Sequence, residues 1–326
     1  MVSRSKFFMA CMLSICAWGM GQAAHAQAYP DKPIKLVVPF PPGGATDSLG
    51  RVLATAMGDE LGQSVVVENR PGAGTVVAAS AVSKSPADGY TLFLGASSTL
   101  MHNLVLRPDL PYDPFTSFTP IGLVADMGLV LLANPNLEKS ELKEVLELAR
   151  SNPGKLTYSS FGVGSSSHFA GEALKSVSGA DITHIAYNGS GPSLTALMGG
   201  HVDFAVDTGV ASASLVNSGK VKAVAAMAAE RLPNLPDVPT VAESGFPGFD
   251  VSTWFTLLAP AGLPEAVLAK LEATLEKVLN DAEMQKKLVE LGLIPHHGSG
   301  KAVMDRVDAE LPEIRKLAET ANIKLD

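Results

Sequence analysis

Cysteine is missing from almost the whole of this 326-residue chain: its only two, Cys11 and Cys16, lie in the first 26 residues. Whatever follows them has no disulfide and no thiolate chemistry. Charge is also scarce, with Asp, Glu, Lys and Arg making up 18 % of the chain, and no segment has the composition of a disordered tail. No run beyond the N-terminus reaches the ~18 consecutive apolar residues of a membrane-spanning helix, and no repeat of 20–50 residues recurs. The net charge of −8 argues against nucleic acid and anionic membranes as partners. It does not exclude a small anion, because dipoles at a pocket outweigh a distant, screened charge.

The recognisable enzyme signatures are missing too. There is no G-x-S-x-G elbow and no Walker A motif, and GVGSSS (162–167) lacks the last glycine of a dinucleotide fingerprint. Besides His168, the histidines His102, His184, His201, His296 and His297 show no H-x3-H or H-E-x2-H spacing. No metal and no other cofactor is therefore expected.

The N-terminus reads as an export signal. Arg4 and Lys6 form a basic start, Phe7 to Ala17 an apolar core, and Ala24-His25-Ala26 a small-x-small site that places cleavage before Gln27. Cys16 follows Ile15, where a lipobox needs a small residue, so a soluble periplasmic product is expected rather than a lipoprotein. Removing residues 1–26 from the 326 leaves 300, and losing Arg4 and Lys6 takes the charge from −8 to −10. That length suits two ordinary domains.

What the chain does have is two similar junctions, VVPFPPGGATD (37–47) and LTYSSFGVGSSSH (156–168). Each runs from an apolar strand through glycines and small hydroxyl residues into a helix. Backbone N–H groups and a helix N-terminus meet in such a loop, which suits an anion. Gly43-Gly44-Ala45-Thr46 could equally be a plain turn with a helix cap at Thr46. Asp47 tells against an anion nearby; it suits the positive end of a helix, or accepts from a ligand amine or a water. Of Ser165, Ser166 and Ser167, one hydroxyl suffices for a cap. His168 cannot face its neighbouring serine on a helix and reads as a buried or helix-face residue.

Strands and helices alternate along the chain. Strands are expected at 34–39, 64–69, 90–96, 155–160, 182–187, 202–207, 221–227 and 252–260, with a break near Asp126 in an extended stretch from 121 to 135. Helices are expected at 46–62, after PGAG to about Lys84, at 140–152 from a Ser140 cap, after the second loop to about Val177, at 190–200, and over most of the last 60 or so residues. This is an α/β pattern with parallel or mixed sheets covered by helices. Ligands in such folds bind beyond the strand C-termini, where both loops lie. Ser97 and Ser98 follow a strand and either line a cleft or do not. Asp207 ends one and either anchors a hinge or touches ligand through water. The prolines around Phe40 hold it in a loop that lines a cleft.

PFPPGGATD, ENRPGAG, ADGYTL, YDPFTSFTPI, NPGKLTYSSFGVGSSSH, GSGPSLTALMGGHVDF and LPDVPTVAESGFPGF follow one another along the chain. In that order they resemble the Bug, or TctC-like, tripartite tricarboxylate receptors, over about 29–320. The resemblance implies a type II periplasmic binding protein, a Venus flytrap of two α/β domains with a ligand cleft between them. Residues 29–125 plus 251–326 would form domain 1, and 126–250 domain 2. It also implies that the two loops grip a carboxylate. The candidate ligand-binding residues are Phe40, Pro41, Gly43, Gly44, Ala45, Thr46 and Asp47 in the first loop. In the second they are Ser159, Phe161, Gly162, Gly164, Ser165, Ser166 and Ser167; Ser97, Ser98 and Asp207 complete the set.

Two positions depart from the family pattern. Asn188 stands where a basic residue commonly follows the Tyr of Tyr-x-Gly-x-Gly, and Phe161 where a small residue is frequent. A Phe161 facing the cleft would favour an aromatic or longer-chain carboxylate over a small tricarboxylate. The function implied is a monomeric receptor that delivers a carboxylate to the membrane subunits of a tripartite tricarboxylate transporter. The alternatives are a receptor signalling to a sensor-kinase ectodomain, and a periplasmic hydrolase using Ser165 or His168.

Overall fold

The computed structural model describes residues 29–323. The expected signal peptide and its cleavage site lie outside them. Two mixed sheets organise the chain. The first has the order β11-β4-β10-β3-β1-β2 and the second β7-β6-β8-β5-β9.

The first sheet is built from both ends of the chain. Its parallel part is β1 (Ile34–Val38), flanked by β2 (Val65–Asn69) and β3 (Thr91–Ala96). β1 is IKLVV with only Lys35 exposed, as expected of a strand covered on both faces. β10 (Thr253–Pro260) returns from the far end of the sequence and pairs antiparallel between β3 and β4 (Phe118–Met127). β11 (Ile294–Ser299) closes the edge against β4. No strand is expected there from sequence, because a short edge strand with exposed and half-buried positions gives no clean alternation.

The second sheet holds β5 (Leu129–Ala133), β6 (Leu156–Ser160), β7 (Ile182–Ala186), β8 (Phe204–Thr208) and β9 (Lys222–Ala226). The chain crosses to it at Gly128, between β4 and β5, and returns through residues 227–252. The break is thus two residues beyond Asp126. A Cβ at Gly128 would collide with the end of the Leu232 side chain, which would have to shift to admit it.

Helices cover both sheets. On the first lie α1 (Ala45–Leu61), α2 (Val76–Ser83), a π-helical turn at Ser98–His102 running into α3 (Asn103–Leu106), α8 (Glu265–Asn280), α9 (Ala282–Glu290) and α10 (Gly300–Thr320). On the second lie α4 (Leu142–Ser151), α5 (Ser166–Ser178), α6 (Ser190–Met198) and α7 (Gly209–Asn217). In α4 the buried residues are Leu142, Val145, Leu146 and Ala149, the i, i+3, i+4, i+7 stripe of an amphipathic helix. α7 and the turn after β3 were not foreseen. Their small and hydroxyl residues give little helical periodicity.

Two expected caps differ. α1 starts at Ala45 with Gly44 as its N-cap, so Thr46 is a first-turn residue, not the cap. α4 is preceded by Glu141 and no side chain caps it, so Ser140 does not serve. Gly62 does end α1, at φ 69°, the left-handed conformation glycine tolerates best.

Candidate functional site

The C-terminal ends of β1 and β3 face those of β6, β7 and β8 across a cleft. The segments leaving these strands enclose two adjoining chambers. The inner chamber has a volume of about 280 Å³, the outer about 490 Å³. Phe40, Pro41, Phe161, Asn188 and Gly189 belong to the walls of both.

Four helices begin at the inner chamber: Gly44, Ala45 and Thr46 of α1, Ser166 of α5, Ser190 and Gly191 of α6, and Thr208 ahead of α7 all line it. Their positive dipole ends converge on one small space. They are not equivalent. α5 and α7 are capped by their own side chains, Ser165 Oγ accepting from the His168 N–H and Thr208 Oγ1 from the Ala211 N–H. α1 and α6 have glycine N-caps, Gly44 and Gly189, with no side-chain cap. First-turn N–H groups have no intrahelical partner, so those of α1 and α6 are the ones available to a bound anion. One sits on each side of the cleft.

The rest of the inner wall is apolar, including Met127, Phe161, Leu194 and Phe255, with Ser98, Asn188 and Thr253 as polar points. None of its residues is Asp, Glu, Lys, Arg or His. Phe40 and Phe161 meet edge to face across the cleft, with ring centroids 6.0 Å apart and planes at 89°. Phe161 does face the cleft, and it forms the wall shared by the two chambers.

Of the residues singled out from sequence, Phe40, Pro41, Gly43, Gly44, Ala45, Thr46, Ser98, Phe161 and Ser166 line the inner chamber, and Gly162 the outer. The other seven line neither. Asp47 is turned inward: its Oδ2 accepts from the Gly43 N–H at 3.0 Å and Arg51 Nε at 2.9 Å, and its Oδ1 from Asn69 Nδ2 at 2.9 Å. Burial raises its pKa, but these three donors outweigh that and hold it below the ordinary value. A carboxylate in the first turn of α1 is thereby compensated by its near neighbours.

Ser97 pairs with Thr253 (3.0 Å) and Ser159 with Ser193 (2.8 Å), joining neighbouring elements behind the wall. Ser167 Oγ accepts from the Phe161 N–H and shares a hydrogen bond with Ser165. Ser165 Oγ donates to Gly162 O at 2.6 Å. The serine run therefore builds the loop more than it lines the chamber, and Gly164 with it.

Asp207 is fully buried behind Ser190. Ser190 Oγ donates to its Oδ1 at 2.8 Å and the Thr208 N–H at 2.7 Å, while Oδ2 has no partner among the described residues. Burial, only partly offset by Ser190 and Thr208, raises its pKa to about 6.

The segment 188–192 is the part of the site that loop chemistry alone did not single out. Its signal was present, a Gly-Ser-Gly-Pro run opening a helix after a strand, but without the triple hydroxyl that drew attention to 165–167. Gly189 adopts φ 106° and lies across the cleft from Pro41, where an added Cβ would stand 3.3 Å from Pro41 Cγ. Close approach of the two sides requires glycine here.

His168 offers no base to Ser165. Its Nδ1 accepts from the Gly164 N–H at 3.3 Å, and its ring stacks on His184 at 4.0 Å. Burial first, then neighbouring His168 and Lys175, press the His184 pKa down to about 3, so it stays neutral against Ser160 Oγ (2.7 Å).

Comparison with known proteins fits this geometry. The model of the TctC family, described as the tripartite tricarboxylate transporter family receptor, matches residues 49–323. Protein BugT of Bordetella pertussis is 39 % identical over 277 residues, 85 % of this chain and 84 % of that protein. Rpa4515 of R. palustris, solved with adipate, superposes with a TM-score of 0.88 at 36 % identity, over 91 % of this chain and 99 % of that one. MatC of Rhodopseudomonas palustris, solved with bound malate, gives a TM-score of 0.83 at 34 % identity, over 89 % of this chain and 99 % of that one.

Proposed function

The chain belongs to the TctC family of tripartite tricarboxylate transporter receptors, a family of binding proteins rather than enzymes, and from that premise we propose what it carries and where. It is a periplasmic receptor that captures an organic carboxylate in the inner chamber and hands it to the membrane subunits of such a transporter. Residues 29–125 with 251–326 act as one domain and 126–250 as the other, hinged at Gly128 and near residue 251. Ligand bound between them favours the closed arrangement by its differential affinity for it.

The observation that carries this reading is the pair of glycine-capped helix starts, α1 and α6, aimed into one chamber from opposite sides. Their N–H groups supply charge-assisted hydrogen bonds to a carboxylate, each contributing about 1.5–3 kcal/mol. A few such bonds reach the ~8 kcal/mol of micromolar affinity. Two relatives solved with adipate and with malate support a carboxylate as the ligand class.

The test is mass spectrometry of small molecules released from protein purified without refolding, followed by thermal melting against a carboxylate panel. The expected result is an organic acid that co-purifies and raises the melting temperature. A ligand without a carboxylate, or a flat panel, would refute the reading.

A further inference from the structure

Ser190 opens α6 and lines the inner chamber, yet its hydroxyl proton is committed elsewhere. Ser190 Oγ donates to Asp207 Oδ1 at 2.8 Å, and the Thr208 N–H reaches the same oxygen at 2.7 Å. A hydroxyl has one proton and two lone pairs. While Asp207 is ionised, Ser190 therefore offers the chamber only lone pairs, which repel a carboxylate. A protonated Asp207 reverses the bond. Its own O–H donates to Ser190 Oγ, the Thr208 N–H keeps an acceptor on the same carboxyl group, and the Ser190 proton is free to turn into the chamber.

Nothing around Asp207 compensates its charge. It is fully buried on β8, opposite Val130 of β5. α6, α7, β5 and β6 contain no Asp, Glu, Lys, Arg or His. Tyr158 of β6 is their only titratable side chain, and its hydroxyl is bonded to Glu172 at 2.7 Å. α5 carries His168, Glu172 and Lys175, but it packs on the other face of β8, over Phe204 and Val206. Ala205, on the same face as Asp207, packs instead with Leu194 and Leu197 of α6. Burial accordingly pushes the Asp207 pKa up to about 6, so near pH 7 the free protein holds it mostly ionised with a proton within reach.

A carboxylate held by the first N–H groups of α6 would face a second carboxylate just behind Ser190. Two like charges in one water-poor site do not both stay ionised. The ligand has the uncapped starts of α1 and α6, whereas Asp207 has Ser190 and Thr208 alone, so Asp207 is the group that yields. We infer that capture of a carboxylate is coupled to uptake of one proton from solvent by Asp207, which turns Ser190 from an acceptor facing the chamber into a donor to the ligand. This rests on the carboxylate reading of the inner chamber and adds how walls without Lys, Arg or His accept an anion. Asp207 is a positioning residue here, acting through Ser190. The complex holds a proton that the free protein and the free acid do not. Affinity therefore falls as pH rises above about 6 and levels off below it, where Asp207 is already protonated.

The experiment is calorimetric titration of the protein with straight-chain mono- and dicarboxylates of four to ten carbons, at pH 7 and pH 8, in two buffers of different ionisation enthalpy. The tightest acid of the series should bind with uptake of about half a proton or more at pH 7, and about three- to tenfold more weakly at pH 8. Asp207→Asn should abolish the buffer dependence and flatten the pH profile. Ser190→Ala should weaken binding about tenfold or more at pH 7. In the unaltered protein, a protonated-carboxyl band should grow in the infrared difference spectrum on binding, which tests the same proton without any substitution. Binding without proton exchange, uptake that survives Asp207→Asn, or full affinity in Ser190→Ala would overturn the coupling and leave the carboxylate reading intact. Failure of every acid to bind would overturn the carboxylate reading itself. The melting temperatures of the two variants check that they fold.

Discussion

Replacing Asp207 by Asn should remove a specific part of the protein's pH dependence. Asp207 is fully buried, and its two hydrogen bonds, from Ser190 and the Thr208 N–H, fall on one oxygen. Burial pushes its pKa from the ordinary 3.8 up to about 6. Between those two values the folded protein binds a proton that the unfolded chain has released. Stability therefore falls as pH rises through this window, and the penalty is complete above about pH 6. The distance from 3.8 to about 6 corresponds to a penalty of about 3 kcal/mol.

Asparagine keeps an acceptor for Ser190 and Thr208 and carries no charge. Its amide would stand where Oδ2 is buried without a partner, at a cost of about 1–3 kcal/mol. At low pH the variant should thus be the less stable protein, and near pH 8 equal to the unaltered protein or slightly more stable. The readout is the difference in unfolding free energy between the two in urea. It should move by about 2 kcal/mol in the variant's favour from pH 4.5 to pH 8. A difference constant with pH, or one moving the other way, would refute the argument that Asp207 sits uncompensated behind Ser190.

Other perturbations address the chambers themselves. Gly189→Ala places a side chain at φ 106° and 3.3 Å from Pro41; it should cost about 1–3 kcal/mol of stability and weaken carboxylate binding, read by melting and titration together. Phe161→Ala removes the wall common to both chambers; it should cost about 3 kcal/mol and shift the affinity ranking toward bulkier acids, and an unchanged ranking would show that the ring does not select ligand. Trp254, the one tryptophan beyond Trp18, lies on β10 between Thr253 and Phe255, which both line the inner chamber. Its indole N–H donates to Glu310 at 2.8 Å and Arg306 lies 5.1 Å from its ring, so a carboxylate settling against its neighbours should change its emission, and a flat emission titration with a binding acid would sink this link.

Much of the architecture was legible because it depends on local rules. Apolar runs bounded by glycine and proline announced β1, β2, β3 and β10, and the stripe Leu142, Val145, Leu146, Ala149 announced α4. The β11 edge strand and α7 were not legible: both depend on neighbours that lie far away in sequence, β4 in one case and the end of β8 in the other. Residues 40–46, the first Gly loop, line the inner chamber. In the second, three consecutive serines looked like three donors, whereas Ser165 and Ser167 hold their own loop and only Ser166 reaches the chamber.

The sequence by itself determined the α/β class, the two glycine-bearing strand-to-helix junctions and the family, since each is written in contiguous residues whose conformational preferences act over a few positions. The tertiary structure alone decided which donors meet. Whether a hydroxyl faces a ligand or a neighbour depends on side-chain pairs such as Ser159 with Ser193 or Ser97 with Thr253, 34 and 156 residues apart. Whether Asp47 repels an anion depends on Arg51 and Asn69 reaching it first. The convergence of α1 and α6 on one chamber arises only when two sheets bring strand ends together from opposite sides. No periodicity in the chain encodes that distance.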